Sequence, residues 1–394
     1  MAEAYIVAAG RTAGGRRGGR LSGWHPVDLG ARVVRALIDR AQVDPALIDD
    51  VIVGCVSQVA EQSTNVGRNI VLAAGLPESV PGTSVDRQCG SSQQALHFAA
   101  QAVMSGAMDV VIAGGVESMS RVPMGLPHSL PEKNGFGTYM SPAILARYAG
   151  TPLFSQFYGA EALARKYELS KDVLDEYGYR SQLKAIAATR AGKFNDELVP
   201  VEARSADGKG AGTQHTVDEG IRFEVTLEGV KGVKLISENG RLTAATSSQI
   251  TDGASGVLVV NDRGLKTLGI EPLARIHHMT VLGHDPVVML EAPVPATALA
   301  LKKAGMKVQD IDLFEVNEAF ASVPLAWLQA TKADPERLNV NGGAIALGHP
   351  LGGTGTKLMA TLIYALKDRG GRYGLQTMCE GGGLANVTII ERLA

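Results

Sequence analysis

DRQCGSSQQA, residues 86–95, sets Cys89 in a turn of small residues directly before a helix-patterned stretch. The segment has a counterpart elsewhere in the chain. Ile48-Asp49-Asp50-Val51 opens one strand-like segment and Ile311-Asp312-Leu313-Phe314 opens another, an offset of 263 residues (311 − 48). The same offset carries Cys89 onto Gly352, inside GHPLGG. It also carries Val116-Glu117, after VVIAGG, onto Cys379-Glu380, after YGLQTM. Ala95, Ala99, Ala102 and Val103 form an apolar stripe after the first turn, and Leu358, Leu362, Ile363 and Leu366 form one after the second. Strand and helix patterns alternate through both ends of the chain, which argues for parallel sheets covered by helices. The expectation is an α/β protein built from two related halves. In open parallel sheets ligands collect beyond the carboxyl ends of the strands, so the two turns can serve one cleft.

Residues 121–245 interrupt the repeat. MGLPHSLPEKNGFGTYM is rich in Gly and Pro; the run from Ala160 to Phe194 then reads as helical, and SADGKGAGTQ (205–214) as a surface loop. ASGVLVV, residues 254–260, reads as a strand returning the chain to the first half. The expected division is 1–120 plus 246–268 for the first half, 121–245 for an inserted loop domain, and 269–394 for the second half.

Composition narrows the function. A length of 394 residues allows two or three domains. A net charge of −2 with 20% charged residues provides no basic field for nucleic acid. The run GRRGGR (15–20) is too short to change that and reads as a solvated loop. No apolar run reaches the roughly 18 residues of a membrane span. MAEAYIVAAGRT does not read as a signal peptide, nor ERLA as a peroxisomal address. Three cysteines, Cys55, Cys89 and Cys379, are an odd and sparse set that argues against a disulfide framework and fits a reducing, cytoplasmic setting.

Four motifs carry chemistry. Cys89 precedes a helix, whose N–H groups and dipole are expected to lower its pKa. His349 lies between Gly348 and Pro350 in GGAIALGHPLGGTG and is the candidate base for a nucleophilic thiol. Asn317 opens NEAFA. Cys379 opens CEGGG, where Gly381, Gly382 and Gly383 can turn N–H groups toward a developing oxyanion. A second thiol makes sense where a carbon next to a thioester must gain or lose a proton. Cys55 reads as core, and Glu318 and Glu380 as groups that orient turns.

In this order, over nearly the whole length, the motifs resemble those of the thiolases (acetyl-CoA acyltransferases). The resemblance implies two pseudo-symmetric βαβαβ halves in a layered α-β-α-β-α core, with the inserted loop domain binding coenzyme A. It implies Cys89 as nucleophile, His349 as base and Cys379 as general acid/base. It further implies one oxyanion hole from Cys89 and Gly381 N–H groups, and another from His349 with a water held by Asn317. For CoA it points to Ser248 in TSSQITDGAS, Arg222 in DEGIR, and Phe320. No metal and no permanently bound cofactor are expected; CoA is a substrate. A homodimer or homotetramer is implied, with Met124–Met140 joining dimers in the latter. Thiolytic cleavage of a 3-ketoacyl-CoA to acetyl-CoA or propionyl-CoA and a shortened acyl-CoA is the leading reading. Biosynthetic acetoacetyl-CoA formation is the same chemistry reversed, and a non-catalytic acyl-CoA-binding protein is the alternative of another class. Ketoacyl synthases use two histidines and HMG-CoA synthase a glutamate, and CEGGG speaks against both. Short-chain thiolases commonly carry a His-Met pair before the helix expected to begin at Ala160-Glu161, whereas this chain has Ser155-Gln156. With the wording of DRQCGSSQQA, which resembles thiolases of actinobacterial steroid breakdown, that replacement predicts a bulkier acyl group.

Overall fold

The computed structural model describes residues 3–152 and 154–393; Met1, Ala2 and Ala394, part of the leader and address readings, lie outside them. The strands are β1 (Tyr5–Arg11), β2 (Gly15–Arg16), β3 (Asp50–Gly54), β4 (Gly82–Val85), β5 (Val110–Ser118) and β6 (Val201–Arg204). They continue with β7 (Gly210–His215), β8 (Thr251–Val260), β9 (Ala274–Gly283), β10 (Leu313–Val316), β11 (Tyr373–Glu380) and β12 (Leu384–Arg392).

The 263-residue offset holds to the residue. It carries the start of β3 onto that of β10, and the start of helix Ser91–Ser105 onto that of helix Thr354–Arg369. It likewise carries the start of β5 onto that of β11. Even a local hydrogen-bond pattern is repeated. Asp49 Oδ2 accepts from the N–H groups of Asp109 and Val110 (2.7 and 3.0 Å), and Asp312 Oδ2 from those of Arg372 and Tyr373 (both 2.8 Å).

The strands run β10-β11-β12-β9-β1-β8-β5-β3-β4, with β2 beside β8. Pairing is parallel at β3–β4, β3–β5 and β10–β11, where helices provide the crossovers. It is antiparallel at β5–β8, β8–β1, β11–β12 and β12–β9. The sheet is therefore mixed, not purely parallel: a hairpin such as β11–β12 needs only a short turn, whereas a parallel return needs a long crossover. The halves join at Tyr5↔Arg275 and Ile6↔Ala274 of β1 and β9.

The helices Ser91–Ser105 and Thr354–Arg369 fill the middle. Ala95, Leu96, Met359 and Leu362 share one buried cluster with Ile6, Val111, Val257 and Leu313 from both halves. Helix Pro26–Ala41 covers the outer face of the first half, and helices Pro293–Ala304 and Ser322–Thr331 that of the second. The result is the expected alternation of helix and sheet layers. Each fully buried Leu or Met in the middle layer contributes about 1.5–3 kcal/mol. This burial holds the two turns against one another.

Between β5 and β8 two expectations are corrected. The helical run 160–194 breaks into Gln156–Lys166 and Lys171–Arg190, because Glu168 adopts φ +54° and Ser170 caps Val173. SADGKGAGTQ is not a plain loop: residues from Gly210 onward form β7 against β6, turning through Gly208 at φ +77°. No helix among the described residues is long and apolar enough to cross a membrane.

Candidate active site

The first turn is a strained elbow. Asp86 Oδ1 accepts from the Gln88 N–H (2.7 Å), and Gln88 takes φ +48°, a conformation costing a non-glycine residue about 1–2 kcal/mol. Ser91 locks it, donating from Oγ to the Gln88 carbonyl (2.6 Å) while accepting from the Arg87 N–H (3.0 Å). Gly90 must lack a side chain, since Glu380 Oε1 occupies the space of its Cβ. Cys89 is left half-buried at the foot of the helix Ser91–Ser105. Its thiol is not lowered as expected. Burial first, and Glu380 next when it is ionised, push it up to about 12. Desolvation outweighs the helix start.

The second turn positions His349. Gly348 takes φ +80°, and the His349 N–H donates to Thr251 Oγ1 (3.1 Å) and the Gln249 carbonyl (3.3 Å). Nδ1 lies 2.6 Å from Thr354 Oγ1, which spends its own hydrogen on the Pro350 carbonyl (2.9 Å). Nδ1 must therefore carry the ring proton, leaving a lone pair on Nε2. That nitrogen faces Asn317 Nδ2 at 3.5 Å. Burial, then the charge of Lys357, hold the imidazole down to about 3, so it is neutral. Lys357 itself donates to the carbonyls of Leu347 and Gly348 (both 3.0 Å), clamping the turn that carries His349. Asn317 follows β10, its N–H on the Thr377 carbonyl (3.1 Å), and its buried Oδ1 has no hydrogen-bond partner.

Cys379 ends the cleft-facing part of β11 and is buried. Burial, then Cys89, push its thiol well above the ordinary range. The chain leaves through Gly382 (φ +81°) and Gly383 (φ +76°), and Gly383 packs against the Asp285 carbonyl, 2.6 Å from where a Cβ would stand. Cys89, Cys379 and Gly381 line one cleft of about 710 Å³. Leu351 and Ala319, each two residues beyond His349 and Asn317, line it as well, so both halves meet there.

The cleft's far wall comes from the segment between β5 and β8, including Met124, His128, Phe154 and Phe157. Ser155 and Gln156 belong to it. The helix here starts at Gln156, four residues earlier than expected, because Ser155 Oγ caps the Tyr158 N–H. Gln156 Nε2 reaches Met124 Sδ at 3.5 Å. Ser248 is tied to the cleft by its N–H on the Ala319 carbonyl (2.9 Å). Phe320 is buried behind the wall, edge-on to Phe157 with centroids 5.6 Å apart, and so supports the surface without forming it. Arg222 is not among the cleft residues; its side chain is exposed, and its N–H is held by Gln182 Oε1 (2.8 Å).

Glu318 is a structural anchor, accepting from Tyr177, Ser181, Asn339 and the Ile345 N–H. Cys55 lies in the core of the first half. The sequence reading missed Gln88, Thr354, Lys357 and His128. Thr354 and Lys357 had a signal, a hydroxyl and a lone cation just after the histidine turn. His128 had none.

The profile of the thiolase N-terminal domain matches residues 4–263, and that of the thiolase C-terminal domain matches residues 270–392. A steroid 3-ketoacyl-CoA thiolase of Mycobacterium tuberculosis is 53% identical, covering 100% of this chain and 95% of its own. A 3-ketoacyl-CoA thiolase of Cronobacter sakazakii is 42% identical, with both chains covered in full. The crystal structure of human mitochondrial 3-ketoacyl-CoA thiolase in complex with CoA superposes with TM-score 0.87 at 36% identity, covering 100% of each chain. That of the Bacillus anthracis acetyl-CoA acetyltransferase gives 0.90 at 34%, covering 100% of this chain and 99% of its own. With its two-thiol cleft assembled from both halves, the chain belongs to the thiolase family and is an acyl-CoA acyltransferase.

Proposed function

We propose that this protein cleaves 3-ketoacyl-CoA by thiolysis in fatty-acid or steroid degradation, releasing acetyl-CoA or propionyl-CoA and a shortened acyl-CoA. The observation that carries the reading is the pair of thiols, Cys89 and Cys379, in one cleft. In this reading Cys89 sulfur attacks the 3-keto carbon while its proton passes to His349 Nε2. Because the resting imidazole is a weak base, the developing oxyanion must stabilise the imidazolium as it forms. The C2–C3 bond then breaks, its electrons forming an enolate that takes the proton of Cys379. CoA next gives its thiol proton to the Cys379 thiolate and attacks the acyl group on Cys89. The shortened acyl-CoA leaves, and the Cys89 sulfur regains its proton from His349.

Asn317, with its amide beside His349, would hold the water of one oxyanion hole; the N–H groups of Cys89 and Gly381 would form the other. Ser248, Arg222 and Phe320 are assigned to the CoA side, Ser248 by its tether at the cleft, Phe320 through the Phe157 wall it backs and not by contact, and Arg222 by the resemblance alone. The resulting division is residues 1–120 with 246–268, a loop domain at 121–245, and residues 269–394. The 263-residue repeat across the first and last parts supports it. The setting proposed is cytoplasmic. A homodimer or homotetramer is favoured by the exposed apolar residues of the 124–140 stretch, Phe136 at 83% and Tyr139 at 62%. Light scattering showing a stable monomer at micromolar concentration would contradict that part.

The central test incubates the protein with a 3-ketoacyl-CoA and maps the adduct by peptide mass spectrometry. A shortened acyl group on Cys89, discharged by free CoA, is expected. Acylation of Cys55 or Cys379 in its place would refute the assignment.

A further inference from the structure

β5 and β11 carry equivalent glutamates at or next to their last residue, Glu117 and Glu380, both fully buried. Their surroundings differ. Glu117 is saturated: Oε1 accepts from the Ser57 N–H (3.0 Å) and Gln62 amide (2.8 Å), Oε2 from the Val56 (3.0 Å) and Gly352 (2.8 Å) N–H groups. Glu380 Oε1 accepts from the Asn386 N–H (2.9 Å), while its Oε2 has no hydrogen-bond partner. Asn386 Oδ1 is without one too. It lies 3.0 Å from the position of a Cβ on Gly90, the same space into which Glu380 Oε1 is packed. The Asn386 amide nitrogen is committed to Gln94 Oε1 (3.1 Å) and His97 Nδ1 (3.2 Å), which turns its oxygen to the carboxyl side. Acceptor oxygens crowded together in a dry site need a hydrogen between them.

We infer that Glu380 rests as a carboxylic acid sharing its proton with Asn386, and that it is a positioning residue setting the charge beside the two cysteines. Uncharged, it tolerates a thiolate next to Gly90; ionised, it suppresses one. The inference rests on Cys89 being the nucleophile. Burial pushes Glu380 up to about 8, with Arg87 pulling the other way. The groups facing it are Arg87 and Cys89 on the elbow, Cys379 on its own strand, and His97, held neutral by burial, on the helix Ser91–Ser105. Asp86 and Glu117 act on Cys89 more weakly than Glu380 does.

While Glu380 stays protonated, each pH unit raises the Cys89 thiolate tenfold. Once it ionises, every new thiolate forms beside a carboxylate, and the gain stalls until pH overcomes the added repulsion.

The experiment is alkylation of Cys89 by iodoacetamide from roughly pH 6.5 to 9.5, quantified by peptide mass spectrometry apart from Cys55 and Cys379. The wild type should climb to about pH 8 and then flatten. Glu380→Gln, which keeps a donor toward Asn386 and cannot ionise, should climb without a break, reaching up to about tenfold over wild type one pH unit higher. The same break in both proteins would overturn the inference. If the variant does not fold, a wild-type curve that rises unbroken overturns it as well, and a plateau that coincides with loss of a protonated-carboxyl infrared band supports it. Alkylation that never reaches Cys89 would overturn the nucleophile reading, and this inference with it.

Discussion

The first turn, around Cys89, and the second, around Gly352, share a backbone plan and differ in almost every reactive atom. At equivalent positions stand Cys89 and Gly352, Asp86 and His349, Gly54 and Asn317, Val116 and Cys379. Gly352 has no room for a side chain, since the Cα of Cys55 lies 2.6 Å from where its Cβ would stand. Its N–H instead feeds Glu117. Thus the second turn spends its tip on packing and its start on a histidine, while the first caps with Asp86 and projects a thiol. A duplicated frame yields one site because the halves have become complementary and not equal.

The largest expected effect separates the two tips. Cys89→Ala should abolish acyl-enzyme formation, read by intact mass, while leaving the fold in place. Gly352→Ala keeps the thiol but drives a methyl into the Cys55 backbone, costing about 1–3 kcal/mol in urea unfolding. If Gly352→Ala is neutral, the packing half of the comparison fails.

His349→Ala should lower kcat/KM by on the order of 10²–10³, because the thiol loses its base and the oxyanion a partner. A fall of less than tenfold in a steady-state thiolysis assay would move the base elsewhere.

Glu117→Gln should destabilise by about 1–3 kcal/mol, since an amide turns two hydrogens toward groups that already donate. Glu380→Gln should cost less. Equal urea midpoints for the two variants would erase the contrast between the strand ends.

Each half also buries one neutral histidine, His97 and His349, both held down to about 3 by burial. A histidine whose folded pKa lies below its unfolded value of about 6.5 binds more protons when unfolded. Stability is therefore full above pH 6.5 and is lost as pH falls toward 3. By pH 5 the loss is roughly 1–2 kcal/mol per histidine. Urea midpoints at pH 7 and 5 would check it, and His97→Gln should shrink the drop by its own share of roughly 1–2 kcal/mol.

The smallest effect concerns the wall that neither half supplies. Gln156→Met alters one contact in a wide cleft, so its effect should not exceed about 1 kcal/mol, the low end for a misfitted methylene. The ratio of kcat/KM for acetoacetyl-CoA to that for a ring-bearing 3-ketoacyl-CoA should rise in the variant. A wild type that already prefers acetoacetyl-CoA, with no change in Gln156→Met, would remove the argument for a bulky acyl group.

Much of this is legible in the sequence itself. The offset of 263 located β3 with β10, β5 with β11, and the two central helices, because periodicity and turn residues act within a few residues of themselves. The same turns marked Cys89, His349, Asn317 and Cys379 as the residues to examine. Tertiary structure decided what those side chains are in chemical terms. Cys89 was expected to be acidified by its helix and is instead pushed up, because what covers it comes from β11, hundreds of residues away. The tautomer of His349 depends on where Thr354 sends its hydrogen, and the two-residue β1–β9 seam, which unites the halves, depends on no local motif. Backbone pattern is written in neighbouring residues. Desolvation, proton positions and the cleft wall depend on which distant segments close over a site, and those exist only once the chain has folded.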